Sequence, residues 1–214
     1  MTIRRIATLL AVVAAGLQST GWTQVPDSVA AATGAQSLTA AEVLAAIHLG
    51  RSNRKSFAFR GATGRDLDNV EFAVVAQGPF GRIVSAAAEA AESNQPYSAD
   101  SVTAQMMASV LVIDARPTAA DSLGHSMLRA PPATHMFLRS RRAAQGDLVT
   151  VQPFSVRTFA VSQSNLTGGR LQGQGITAAF HLTGLPAEEF EIVVVAGDRE
   201  YRRVVRARDR EKLR

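Results

Sequence analysis

Among the 214 residues there is no cysteine. That excludes disulfides, thiolate metal sites and a cysteine nucleophile. Lysine is nearly absent too: Lys55 and Lys212 stand against 21 arginines. Aromatic residues make up only 6% of the chain, with a single tryptophan, Trp22, so a base-stacking nucleic-acid surface has little to be built from. No apolar run reaches the roughly 20 residues that a membrane-crossing helix requires. The hydrophobic content is nonetheless 46%, enough for a packed core rather than a disordered chain.

The charge is unevenly placed. Eight basic and three acidic residues fall within residues 199–214, so the whole formal charge of +5 sits in the last sixteen positions. A uniformly basic nucleic-acid binder would not look like this. Arg202, Arg206, Arg208, Arg210 and Lys212 are the candidate anion-binding residues, for an acidic lipid, polysaccharide or phosphate. The competing reading is structural: arginine on an exposed strand keeps it soluble and unpaired.

The beginning of the chain reads as an address. Arg4 and Arg5 precede an apolar stretch, 6–17, and small and polar residues follow over 18–21. This is the order of an export signal, removed after translocation. Ser19 and Gly21 favour cleavage after Gly21, within a window of 15–24. A twin-arginine signal would want a bulky residue where Ala7 stands, which points to general secretion. The expectation is residues 1–21 as signal peptide, 22–37 as flexible leader and 38–214 as one domain, with a subdivision near 116–133. The localisation is periplasmic or extracellular, with no membrane anchor in the mature chain.

Thr39 and Glu42 form a capping box, and Leu38 with Val43 a hydrophobic staple, so a helix starts at 40. Gly50 is placed to end it. Pro79 opens a second helix, with Phe80, Ile83, Val84, Ala87, Ala88 and Ala91 on its buried face, and Arg82, Ser85, Glu89 and Glu92 on the other. Asn94-Gln95-Pro96 stops it. Residues 57–59, 70–76 and 110–113 read as strands, the last two buried on both faces. Short strands follow at 135–139, 148–152, 155–161 and 176–182. A hairpin over 190–207 turns at Gly197-Asp198. The fold class expected is α+β: a helical N-terminal part packed on a mainly antiparallel sheet or sandwich-like C-terminal half. A parallel crossover over 70–113 is the alternative.

No motif specifies a reaction. Gly124-His125-Ser126-Met127-Leu128 resembles the nucleophile elbow of the α/β-hydrolases over five residues, with Leu128 replacing its last glycine. An elbow needs a strand directly before it and a helix after it, and Pro131-Pro132 denies the helix. Ser126 is thus a weak catalytic candidate. Gly173-Gln174-Gly175 mimics a dinucleotide loop but precedes a strand, and the glycines from 168 to 175 read as a flexible hairpin loop. His48, His125, His135 and His181 have no metal-ligand spacing, and Asp66-Leu67-Asp68-Asn69 lacks the closing glutamate of a calcium loop. Asn165-Leu166-Thr167 is a glycosylation acceptor only in a host that uses such sites. No cofactor or metal is expected. The functional expectation is an exported cell-envelope protein, a non-enzymatic binding or structural module acting through its C-terminal β region. Its partner would be another envelope protein or an anionic surface rather than nucleic acid. The alternatives are a serine hydrolase using Ser126 and an anion-binding protein using the basic tail.

Overall fold

The computed structural model describes residues 38–53, 57–64, 70–119, 127–141, 148–164 and 168–214. The signal and leader, Ser126 with His125, the 66–69 turn and the 165–167 acceptor lie outside these residues.

Helix α1 spans Ala40–Asn53. Its capping box forms: the Thr39 amide donates to Glu42 Oε2 at 2.9 Å and the Glu42 amide to Thr39 Oγ1 at 3.3 Å. Strands β1 (Phe59–Ala62) and β2 (Val70–Gln77) follow, and Pro79 then opens α2 (Pro79–Glu92). Asn94, with φ 54°, closes α2 in the left-handed conformation that asparagine tolerates. A one-turn α3 (Ala104–Met107) leads into β3 (Val110–Ala119). Next come β4 (Met127–Arg129), β5 (Ala133–Arg141), β6 (Leu148–Val151) and β7 (Ser155–Ser164). The last strands are β8 (Arg170–His181), β9 (Phe190–Ala196) and β10 (Arg199–Val205), before a 3-10 helix, Ala207–Leu213.

The strands make two sheets. One runs β1-β2-β3-β8, with β8 carrying β7 along its other edge and short parallel β4 beyond the end of the β3 pairing. The other runs β10-β9-β5-β6, antiparallel throughout. Their facing sides form one core: Phe72, Val74, Leu111, Ile113, Ile176 and Phe180 from the first sheet meet Met136, Leu138, Phe190, Ile192, Val194 and Tyr201 from the second. Phe72 and Tyr201 meet edge-on, ring centroids 4.9 Å apart.

The expected helical N-terminal part packed on a sheet is therefore wrong. The chain is mostly β, with two sheets and few helices. β1 and β2, from the supposedly helical part, are built into the sandwich beside β3. The helices bury their stripes chiefly against each other, Val43, Ala46 and Ile47 of α1 against Ile83, Val84 and Ala87 of α2. Gly50 does not end α1. It lies inside the helix, where a β-carbon would collide with the Val84 carbonyl and Ala87, and so lets the two helices approach. The parallel crossover is excluded as well, because β2 and β3 pair antiparallel along all eight residues of β2. β2 has one face in the core and the other half-covered, and β3 runs on through Pro117. Proline fits there because the pairing of β3 with β8 ends at Ala115, so no ladder on that edge requires its amide.

The hairpin is present over 190–205; Ala207, expected at the end of its second strand, opens the 3-10 helix instead. Ala196 pairs Arg199, and Gly197, at φ 61°, takes the first turn position.

Candidate functional site

The sides of the sandwich differ in how their edges are finished. On one side β10 carries Arg199, Arg202 and Arg203, and β1 is four residues long. Arg203 bridges the two sheets here: its Nη1 donates to the Ala62 carbonyl at 3.3 Å and its guanidinium lies 5.7 Å from the Phe59 ring centroid. Charge and shortness are the usual ways to deny a neighbouring strand. On the outer face of the β10 sheet, Arg139 joins Glu191 and Glu200 at 3.2 and 3.0 Å, and Arg202 joins Glu200 at 2.8 Å. The two arginines hold the Glu200 carboxyl below the usual carboxylate range through their hydrogen bonds, Arg139 first.

The other side carries no such guard. β7 is ten residues long and pairs with β8 from Ser155 to Ser164 without a register shift. Among the described residues it pairs with nothing on its outer edge. It is rich in β-branched and aromatic residues, contains no proline or glycine, and carries one charge, Arg157. Most of its residues are exposed on both faces. Val156, in the core-facing row with Ala178 and Ile113, is still 47% exposed. Phe154, 37% exposed, precedes the strand and stacks on His181 at 4.3 Å.

Gly168 and Gly169 precede β8, but Gly173 and Gly175, read with them as a flexible loop, sit inside the strand and explain how so exposed a β7 is held. Phe159 lies opposite Gly175 and Val161 opposite Gly173. The Phe159 ring fills the space over Gly175 so closely that any β-carbon there would strike it, and the Arg116 guanidinium rests 5.4 Å from the same ring.

Beside this stack Asp114 is only 4% exposed. It accepts from Arg116 Nε at 2.7 Å and from Thr177 Oγ1 at 3.3 Å, and Thr177 pairs with Arg157 of β7. Burial raises the Asp114 pKa, against the opposing pull of Arg116 and Thr177. A raised folded-state pKa adds stability at pH values below the ordinary aspartate range of about 4, and that contribution is lost as the pH rises through the folded value. Asp114→Asn should therefore gain on the wild type as pH is raised from about 4 to about 7, read as the difference in melting temperature. A difference moving the other way would mean that the Arg116 pair outweighs burial.

The sequence-derived residues are scattered. His48 lies on the exposed face of α1, His135 on β5 and His181 at the end of β8. Among the described residues no three histidines, aspartates or glutamates gather to hold a metal, and no helix is long and apolar enough to cross a membrane. The basic end folds back on the body rather than hanging free. Leu213 enters the core, Arg210 donates to the Pro186 and Ala187 carbonyls, Lys212 lies 3.4 Å from Asp209, and Arg214 pairs Glu42 at 2.8 Å. Arg206 and Arg208 project into solvent, and Arg202 is engaged by Glu200. Arg82, assigned by periodicity to the wet face of α2, is buried.

No family model, curated protein or solved structure matches the chain.

Proposed function

We propose that this is an exported protein of the cell envelope, a non-enzymatic binding module that works by strand addition along β7. The observation that carries the binding part is the contrast between edges: β10 is lined with arginine, β1, β4 and β6 are three or four residues long, and among the described residues β7 alone of the edge strands is long, regular and nearly uncharged. An edge of that kind offers a row of amides and carbonyls to an extended segment, with alternate side chains supplying selectivity. Its partner is a protein of the envelope that offers an extended strand. The export part rests on the Arg4-Arg5 start, the short apolar stretch and the small residues before Trp22. Freedom from cysteine suits a chain that folds after export without help from disulfides. A reading of Arg206 and Arg208 as an anion-binding pair is favoured only by their exposure.

The test uses protein recovered from its own cells, carrying a photo-reactive residue at position 160 or, separately, at 202. The mature N-terminus should fall within residues 16–25, and position 160 should crosslink to protein while position 202 does not. A full-length chain retained in the cytosol overturns the export reading. A silent position 160 overturns the docking edge.

A further inference from the structure

We propose that the strand received by β7 is β7 of a second copy of this chain, paired antiparallel about a two-fold axis at Ala160. The inference rests on the docking-edge reading above and names the partner that edge takes.

The argument is one of self-complementarity. A two-fold axis that relates antiparallel neighbours in one continuous sheet stands normal to the sheet. Residues meeting across it then belong to the same face, so odd positions meet odd and even meet even. With the axis at Ala160, the small alanine meets its own counterpart. Phe159 lies opposite Val161 of the second copy, Thr158 opposite Ser162, Arg157 opposite Gln163 and Val156 opposite Ser164. Aromatic with β-branched and hydroxyl with hydroxyl are among the favourable cross-strand pairs. Moving the axis to Phe159 sets Arg157 against the apolar Val161. Moving it to Arg157 sets cation against cation.

Charge supports the same register. Each strand carries one cation and no acid. With the axis at Ala160 the two Arg157 side chains are six residues apart along the ladder, or roughly 20 Å at ~3.4 Å per residue. That separation is about two and a half times the Debye length at physiological salt, so their repulsion across the junction is largely screened. Each faces the uncharged amide of Gln163 instead. The polar run Ser162, Gln163, Ser164 at one end of β7 therefore receives the charged end of its mate, and the apolar Phe159, Ala160, Val161 segment meets itself at the centre. The unbroken register of β7 on β8 presents this pattern without a bulge to misalign it.

The experiment uses the mature chain in size-exclusion chromatography with light scattering. Wild type should run at twice the monomer mass at high micromolar concentration and dissociate on dilution by about a hundredfold. Ala160→Lys and Ala160→Glu each put like charges in direct opposition, and should weaken association by at least ~10-fold with little change in melting temperature, since Ala160 is exposed. An equal mixture of the two should recover the dimer. Because the chain has no cysteine, a second reading is available from single cysteines. Ala160→Cys should form a covalent dimer under mild oxidation, as opposed β-carbons lie ~5 Å apart, whereas Arg157→Cys should not. A wild type monomeric at every concentration, a Lys variant that dimerises as well as wild type, or equal crosslinking at 157 and 160 overturns the dimer. A monomeric wild type whose position 160 still crosslinks to a different envelope protein overturns the dimer alone and leaves the docking edge standing.

Discussion

Arg82→Met should lower the unfolding free energy by about 3 kcal/mol. The guanidinium of Arg82 is buried in α2 and reaches across to the segment joining α3 to β3. Its Nη1 donates to the Val110 carbonyl at 2.7 Å, Nη2 to those of Ala108 and Met106 at 2.7 and 2.9 Å, and Nε to Met106 at 3.3 Å. Burial pulls its pKa down to about 10, which leaves it charged at neutral pH. No carboxylate balances it among the described residues; the carbonyl dipoles do. Methionine keeps much of the volume but strands three carbonyls that were turned inward to meet the fork. Lysine keeps the charge with fewer and less fixed donors, and should fall between the two. Denaturant midpoints at constant slope measure this. A midpoint shift worth less than about 1 kcal/mol would mean that water replaces the guanidinium at little cost.

The larger loss is expected for Phe72→Ala, about 3–5 kcal/mol. Phe72 is fully buried on β2 and meets Tyr201 of β10 across the sandwich, so its removal opens a void where the two sheets touch. Val43→Ala, in the cluster between α1 and α2, should lose about 1–2 kcal/mol, since only two methyl groups leave a shallower interface. The ordering of the two variants by calorimetry or denaturant separates the observed architecture from a helical layer packed on a sheet. If Val43→Ala proved the more damaging, the helices rather than the sandwich would hold the fold.

Local signals were readable where the physics is local. The capping box at Thr39 and Glu42, the Pro79 start of α2 and the Gly197-Asp198 turn each depend on residues within four positions of one another. What the sequence did not show depends on distant partners. Gly173 and Gly175 look like loop residues until Val161 and Phe159 are placed opposite them, and alternating glycines beside an aromatic strand were the available signal. Gly50 looks like a helix end until the backbone of α2 is set against it. Arg82 falls on the polar face of a helical wheel, and only the tertiary fold turns three carbonyls towards that face. The expected division into a helical first part and a β second half failed because β2 and β3 are separated by α2 and α3 in sequence yet adjacent in one sheet. The open edge was hidden for the same reason. Residues 155–161 read correctly as a strand, but whether a strand lies inside a sheet or at its margin is a property of pairing, not of composition.

The most direct measurement is amide hydrogen exchange along β7 in dilute and concentrated mature protein. Those amides of residues 156–164 that point away from β8 should slow with concentration, while those of β10 on the guarded side stay unchanged. Exchange along β7 that ignores concentration, or protection that grows on β10 instead, would contradict the account.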